Sequence, residues 1–283
     1  MGIKRIFGGL TLSLLTLVSL HAQDDAFVRI GASVGAMSYF GDLSTSNPFE
    51  TVHPGIGAAV SLKLNPMFSL RGAALFGKVS GSDANSTDPE IRARNLSFES
   101  EIQEVGLHLV GNFLFTHQGF LHRPPVVPYA FIGLAFTRIN PRANLNGTLI
   151  DLQPLGTEGQ FLDDPDPERP YPEPYKLVQM VIPMGVGLRF RVFKDLDIEA
   201  EVGLRKTFTD YLDDVSGYYP NLRRLNRANP LAATLSDRSN NNQFPDGRID
   251  KPRGNQAQQD WYMYTSLSIS YILSWVRCPQ NKR

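Results

Sequence analysis

The sequence predicts an all-β fold, an eight-stranded antiparallel transmembrane β-barrel of the outer membrane with long extracellular loops. Three observations predict it. The last segment alternates between an apolar face and a small polar face, the N-terminus has the features of a secretory signal, and the connections between predicted strands alternate in length.

The alternation is clearest over residues 261–275, because successive side chains on a strand point to opposite faces. One face is apolar with aromatic ends and consists of Trp261, Met263, Thr265, Leu267, Ile269, Tyr271, Leu273 and Trp275. The other face is mostly small and polar, carries no charge, and consists of Tyr262, Tyr264, Ser266, Ser268, Ser270, Ile272 and Ser274. A soluble strand more often exposes charges opposite its apolar face. The pattern therefore favours lipid on one side and a tight polar interior on the other.

The N-terminal segment predicts export. Lys4 and Arg5 precede an apolar run over residues 6–20, and the small residue Ala22 follows at a plausible cleavage point. The run is short for a transmembrane helix. We therefore predict a signal peptide over residues 1–22 and one outer-membrane barrel domain over residues 23–283. The single cysteine, Cys278, cannot form an internal disulfide.

The connections between the predicted strands indicate how the barrel is oriented. Those after the second, fourth and sixth strands are short to moderate, and those after the other strands are longer. Outer-membrane barrels have short periplasmic turns and long extracellular loops, and an even strand number leaves both termini in the periplasm. The eight predicted strands cover residues 27–39, 53–64, 67–80, 97–115, 129–139, 177–193, 196–210 and 261–275.

Charged residues fall on the inward register of these strands, whereas apolar residues such as Leu188 and Val202 fall on the outward register. An eight-stranded barrel has an interior only just wide enough for side chains, so we expect acids and bases to pair and fill it. The alternative is a charged permeation path. The predicted interior charge network consists of Arg29, Lys63, Arg71, Glu104, Arg189, Arg191, Asp197, Glu199, Glu201 and Arg205.

The sequence has no signature of catalysis, a cofactor or a metal, and we predict that the protein is not an enzyme. It lacks a Gly-x-Ser-x-Gly elbow, and its histidines and cysteine do not have metal-ligand spacing. We expect His108 to be a hydrogen-bonded interior residue. The acidic segment over residues 163–168 does not match an EF-hand loop, and we interpret it as a solvated loop. The 28 basic and 28 acidic residues balance without forming a basic stripe, which argues against nucleic acid.

Four segments near strand ends carry a family resemblance. They are SYFGDL at 38–43, NLSF at 95–98, LQPLGTEGQ at 152–160 and TDYLDDVS at 209–216. In this order, and over nearly the whole mature chain, they resemble the outer-membrane barrel family that includes PorG of the type IX secretion system. The insert over residues 218–258 is not part of that pattern, and the sequence does not reveal its role.

The resemblance implies a non-enzymatic protein in contact with outer-membrane lipid, which anchors or stabilises the periplasmic PorK–PorN ring of that secretion system. Ring subunits would meet the periplasmic turns, of which the connection over residues 116–128 is the largest. Phe120 and Leu121, together with three prolines, make this connection a semi-rigid apolar ridge, and we expect it to be the partner surface. The prolines could also merely shape a turn.

Two other hypotheses stay open at this point. The protein could be a small OmpA/OmpX-like barrel for adhesion or transport, with no role in secretion. It could also be a barrel enzyme that uses carboxylates at the rim, where Asp210, Asp213 and Asp214 lie at the end of the seventh predicted strand.

Overall fold

The computed structural model of the protein describes residues 27–44, 51–114, 122–162, 170–239 and 251–274. The predicted signal peptide and the acidic segment over residues 163–168 lie outside the described residues. Phe120 and Leu121 of the predicted partner surface also lie outside them, as does Cys278.

The described residues form ten strands and three short α-helices. The strands are β1 (Phe27–Phe40), β2 (His53–Lys63), β3 (Phe68–Ser82), β4 (Ser97–Asn112), β5 (Val126–Arg138), β6 (Pro141–Leu145), β7 (Thr148–Asp151), β8 (Val178–Arg191), β9 (Leu196–Thr207) and β10 (Trp261–Ser274). The helices are α1 (Pro89–Arg94), α2 (Leu222–Ala228) and α3 (Pro230–Ser236).

Eight of these strands form a closed antiparallel barrel, which confirms the predicted fold class. Each wall strand pairs with its neighbours in chain order, β5 pairs with β8, and β1 pairs with β10 to close the wall. The strands β6 and β7 form a hairpin that follows β5 and pairs with the first residues of β4, beyond the wall. Sequence reasoning did not predict this hairpin or the helices, all of which lie in the long connections.

Local sequence explains where the added elements begin and end. The Asp88 side chain accepts a hydrogen bond from the Glu90 amide at 2.8 Å and caps α1, which starts with a proline and ends at Asn95 in a left-handed conformation. Asn229 caps α3 in the same way, again before a proline. An Asp or Asn directly before a proline is a helix start signal, so the sequence carried the information for both helices.

The outer face of the wall is an apolar belt. In the β1–β10 pair, Val34 lies opposite Leu267, and their side chains are 65% and 61% exposed. Every wall strand contributes exposed apolar side chains at alternate positions, for example Val34, Ile56, Phe76, Val105, Leu134, Leu188, Val202 and Leu267. A closed barrel with an apolar exterior matches the lipid environment of a bilayer, and the predicted outer-membrane location is confirmed.

Among the described residues, no helix is both long enough and apolar enough to cross a membrane.

The extracellular half of the lumen is packed with apolar and aromatic side chains. Met37, Val79 and Tyr262 are fully buried there, and Tyr39 meets Phe98 edge-to-face with ring centroids 4.8 Å apart. Because these side chains come from strands on opposite sides of the wall, they close the lumen above the charged residues described below.

The apolar belt gives a graded prediction for arginine substitutions. Val202 lies at the middle of β9 opposite Val186, whereas Leu188 lies three residues from the periplasmic end of β8. We expect Val202→Arg to destabilise the barrel by about 2–4 kcal/mol, and Leu188→Arg by less, because the cost of a lipid-facing arginine falls towards the interface. Equilibrium urea unfolding in lipid vesicles measures both.

A matched control is available outside the wall. Leu149 on β7 is 42% exposed, close to the 44% of Val202, but it lies on the extracellular hairpin. Leu149→Arg should therefore change stability by less than about 1 kcal/mol. Equal losses for the three variants would contradict the assignment of lipid-facing positions.

Candidate functional site

Glu199 on β9 is the centre of a charge network in the periplasmic half of the lumen. Its Oε1 accepts hydrogen bonds from Arg189 Nε at 2.9 Å and from Ser270 Oγ at 3.2 Å. Arg29 Nε lies 3.7 Å from Oε1, and Arg71 Nη2 lies 3.9 Å from Oε2. Glu199 is only 5% exposed, so side chains from β1, β3, β8 and β10 meet at one buried carboxylate.

Two further carboxylates extend the network towards the extracellular side. Arg71 donates to Glu201 at 2.6 Å, and Arg205 lies 3.4 Å from Glu104. Glu104 also accepts a hydrogen bond from the Tyr262 hydroxyl at 2.6 Å. These contacts link strands on opposite sides of the lumen. Buried charged and polar groups need hydrogen-bond partners, and here the partners lie across the lumen.

Asp197 forms the periplasmic end of the network. It accepts hydrogen bonds from Arg29 at 3.2 Å and from Arg123 at 3.0 Å. Lys63 and Arg191 line the same pocket. The structure thus joins eight of the ten predicted network residues in ion pairs and places the other two at the periplasmic mouth. Sequence reasoning missed Arg123 because it lies in a connection and has no strand register.

The network leaves little open space. The charged residues surround a cavity of about 60 Å³, which has room for only a few water molecules. His108 borders this cavity and stacks on Phe131, with ring centroids 5.3 Å apart. Neither ring nitrogen has a hydrogen-bond partner within the described part of the chain, so the expectation of a hydrogen-bonded His108 is not met.

A second buried polar cluster covers the extracellular end of the barrel, and we call it the cap. Tyr39 at the end of β1 has its hydroxyl 2.6 Å from Asp213 Oδ2 and 3.0 Å from Asp260 Oδ1. The other oxygens of these carboxylates accept backbone hydrogen bonds at 2.9 Å, Asp213 from Val215 and Asp260 from Leu212. The segments at 38–43 and 209–216 therefore meet directly.

Glu158 brings the segment at 152–160 into the same cluster. Its carboxylate accepts hydrogen bonds from the amides of Ser216 at 2.9 Å and Gly217 at 3.1 Å, and from the Tyr211 hydroxyl at 3.1 Å. Arg253 Nη1 donates to the same carboxylate at 3.0 Å. A carboxylate with four donors is held in one position.

Asp214 completes the cap. It accepts hydrogen bonds from the hydroxyls of Thr157 at 2.5 Å and Tyr175 at 2.7 Å, and Arg253 Nη2 lies 3.6 Å from it. Arg253 also donates to the carbonyls of Asp214 and Ser236. Arg253 is 2% exposed and is the main cation of this cluster, yet it comes from the insert that lies outside the family pattern.

The fourth segment of the resemblance, at 95–98, is tied to the cap through its neighbour Arg94. Arg94 binds Asp83 through two nitrogens at 2.7 and 2.8 Å, and donates to the carbonyls of Asp42 at 3.0 Å and Arg253 at 2.5 Å. The convergence of these segments was not predicted from the sequence, because they lie far apart in the chain. Tyr39 and Asp213, which meet in the cap, are 174 residues apart.

A comparison with known protein families identifies the family of this chain. The model of a domain of unknown function, DUF6089, matches residues 5–150, which is just over half of the 283 residues. The chain belongs to the DUF6089 family. No curated protein matches the sequence significantly.

Solved structures similar to this DUF6089 member include small outer-membrane barrels. Ail of Yersinia pestis, in complex with the heparin analogue sucrose octasulfate, has 8% identity and a TM-score of 0.41, over 88% of this chain and 99% of that chain. Neisserial surface protein A has 9% identity and a TM-score of 0.41, over 86% and 96%. A major outer membrane protein of Thermus thermophilus has 12% identity and a TM-score of 0.41, over 89% and 100%. Neither the family description nor these structures names a type IX component, so that part of the sequence interpretation stays a prediction.

Burial favours the protonated form of several aspartates in the cap of this DUF6089 member. A tyrosine hydroxyl has one hydrogen, so Tyr39 can donate to only one of Asp213 and Asp260, and the other short contact requires a proton on the carboxyl group. Burial raises the pKa of both aspartates well above the ordinary value, and the Asp213 charge raises that of Asp260 further. Burial also raises the pKa of Asp210 to about 7 and that of Asp214 to about 6.

These pKa values predict a cap that loosens as the pH rises. Between the ordinary aspartate pKa of 3.8 and about 7, Asp210 is protonated in the closed cap and ionised once the cap opens. The closed cap then binds more protons, so its stability falls as the pH increases through this range. Hydrogen exchange at the Leu212 and Val215 amides, corrected for its intrinsic pH dependence, should show lower protection at pH 8 than at pH 5. Asp210→Asn should weaken this dependence without abolishing it, because the pKa values of Asp213, Asp214 and Asp260 are raised as well. Protection that rises with pH would contradict the prediction.

Proposed function

We propose that this protein is a non-enzymatic outer-membrane anchor of the type IX secretion system, which holds or stabilises the periplasmic PorK–PorN ring. The partner assignment rests on the sequence resemblance. The observation that carries the role of an anchor is the filled lumen, because a barrel with no open path acts through its two ends.

The lumen is filled in two layers. Apolar side chains such as Met37 and Val79 occupy the extracellular half, and the ion pairs around Glu199 occupy the periplasmic half. The remaining central cavity of about 60 Å³ suits water molecules rather than a solute. This arrangement favours a rigid membrane anchor over a transport barrel.

Two of the three rim carboxylates, those of Asp213 and Asp214, support a non-enzymatic role. Asp213 and Asp214 are at most 1% exposed, and their oxygens bond to backbone amides, hydroxyls and Arg253. A general acid or base must reach its substrate directly or through one water molecule. These carboxylates instead hold the loops of the cap together.

The filled lumen predicts negligible conductance. After reconstitution into planar bilayers, the wild-type barrel should give no stable ion-conducting state, since buried ion pairs such as Arg71–Glu201 and Arg205–Glu104 cross the lumen. A stable open channel would reject the filled-barrel interpretation and favour the transport alternative.

Deletion of the gene tests the proposed role. We expect the deletion strain to lose secretion of proteins with a C-terminal type IX signal, and the purified barrel to co-purify with ring subunits from solubilised outer membranes. Unchanged secretion in the deletion strain would reject the role. An adhesion barrel with no part in secretion would then be the better explanation.

A second experiment tests where the ring binds. The double substitution Phe120→Ser and Leu121→Ser should reduce co-purification of the ring and secretion while the barrel still folds, because it removes the two large apolar side chains of the predicted partner surface. Leu149→Ser on the extracellular hairpin is the matched control and should change neither. Unchanged ring association in the double variant would reject this surface.

A further inference from the structure

Two cationic side chains lie on the lipid-facing side of the wall at its extracellular edge. Arg138 is the last residue of β5, and Lys206 is the second-last residue of β9. Arg138 is exposed and follows the exposed Phe136, with the fully buried Thr137 between them. Lys206 is likewise flanked by two buried residues of the lumen. Because side chains on a strand alternate between its faces, both cations point outward, where the apolar belt ends.

Arg138 has no acidic partner within the described part of the chain. Directly opposite it lie Gln103 on β4 and Val178 on β8, which are neutral and exposed. The next outward-facing residue of β4 is Glu101, which already accepts a hydrogen bond from Arg142 at 2.7 Å. The guanidinium of Arg138 therefore stands at the edge of the apolar belt without a counter-ion among these residues.

Lys206 has aromatic and apolar neighbours instead of acids. It lies opposite Ile182 on β8 and Trp261 on β10, and its Nζ is 5.6 Å from the centroid of the Trp261 ring. Phe208, the next outward-facing residue of β9, is 45% exposed. Aromatic side chains mark the level of the lipid headgroups, and an aromatic ring attracts a cation without neutralising its charge. Lys206 thus lies at headgroup level, and no described carboxylate pairs with it.

We propose that the extracellular edge of the wall around Arg138 and Lys206 binds the anionic phosphate headgroups of outer-leaflet lipids. Only β8 separates β5 from β9, so both cations belong to one side of the barrel. A guanidinium binds a phosphate through two parallel hydrogen bonds, and an ammonium binds it as a point charge. A lipid also places its acyl chains against the apolar belt directly below, for example at Phe136 and Val178. A dissolved anion or an acidic polypeptide has no such apolar part.

The test is native mass spectrometry of the purified mature chain in micelles of a non-ionic detergent. The probe is dioleoyl phosphatidic acid, with dioleoyl phosphatidylcholine as the zwitterionic comparison. We expect phosphatidic acid to bind more tightly, and a higher salt concentration to weaken its binding. The double substitution Arg138→Gln and Lys206→Gln should weaken phosphatidic acid binding about tenfold, and each single substitution about threefold. The single variants keep the test valid if the double variant does not fold.

The chain offers a matched control at the same end of the barrel. Arg92→Gln with Arg227→Gln also removes two positive charges from exposed positions, but on the short helices α1 and α2 outside the wall. This control should leave phosphatidic acid binding unchanged, because neither residue borders the apolar belt. Binding that survives in the double variant of the wall, or falls equally in the control, would overturn the proposal.

Other occupants give distinct outcomes, and each overturns the proposal. Phosphatidylcholine that binds as tightly as phosphatidic acid would mean that the two cations merely extend into water beside ordinary lipid. Inorganic phosphate that displaces phosphatidic acid at equal concentration would make the edge a site for small anions. A tetraglutamate peptide that displaces it in the same way would make the edge a site for acidic polypeptides.

Discussion

Replacing Glu199 by alanine is expected to destabilise the barrel by about 3–5 kcal/mol, the loss typical of removing one partner from a buried ion pair. Glu199 lies between three guanidinium groups, those of Arg189 at 2.9 Å, Arg29 at 3.7 Å and Arg71 at 3.9 Å. Without the carboxylate these cations face each other in a lumen with room for only a few water molecules. The cost comes from this uncompensated charge more than from the lost hydrogen bonds.

Equilibrium unfolding in urea, with the barrel in lipid vesicles, measures the effect. Glu199→Gln keeps the shape and one acceptor oxygen but loses the charge, so its loss should be intermediate. Glu99→Ala is the matched control, because Glu99 pairs with Lys78 at 3.0 Å near the extracellular end with its side chain 23% exposed. We expect that control to cost less than about 1 kcal/mol. If Glu199→Ala and Glu99→Ala lowered the free energy of unfolding by the same small amount, the network would not hold the barrel together.

The barrel wall could be predicted from the sequence because its physical constraints are strong. One face of each wall strand lies against lipid and the other faces a tightly packed interior, so apolar residues recur at every second position. A shift of one residue would turn every side chain to the wrong face. The same register predicts some ion pairs. Arg189 lies directly opposite Glu199 across the turn that joins β8 to β9, and the two side chains form an ion pair at 2.9 Å.

The rest of the network required the closed barrel. Arg205 and Glu104 are 101 residues apart in sequence and meet only because strands on opposite sides of the wall face each other across the lumen. Arg123 contributes from a connection, where no periodicity assigns a direction to a side chain. Sequence patterns specify which face a residue occupies, but distances across the lumen depend on closure of the sheet.

The cap was the least predictable part, because polar and proline-rich connections have no periodic pattern. Its organising residue is Arg253, and this arginine comes from an insert with no recognised motif. The carboxylates it pairs with, Glu158 and Asp214, lie 95 and 39 residues earlier in the chain. The sequence features that indicate structure in this region are local, such as Asn229, which caps the start of α3.

Replacing Arg253 by alanine is expected to open the cap, with a loss of about 3–5 kcal/mol in the stability of the closed cap. The guanidinium is 2% exposed and donates to Glu158 at 3.0 Å, to the Asp214 carbonyl, and to the Ser236 carbonyl at 3.2 Å. Removing it leaves two buried carboxylates and two carbonyls without this donor. Hydrogen exchange should accelerate at the Ser216 and Gly217 amides, which bond to Glu158.

The loss caused by Arg253→Ala should depend on pH in a direction that the pKa values define. Burial holds the pKa of Asp214 at about 6 even though Arg253 lowers it, so without the arginine this pKa rises and Asp214 is protonated near neutral pH. Since a neutral carboxyl group is easier to bury, the variant should lose less cap stability at pH 5 than at pH 8.

Arg238→Ala is the control, because Arg238 donates to the neutral Ser97 hydroxyl at 2.9 Å and its loss should cost about 1 kcal/mol. Exchange at wall amides such as Val202 should be unchanged in both variants, and faster exchange throughout the wall would mean that the cap and the barrel unfold as one unit.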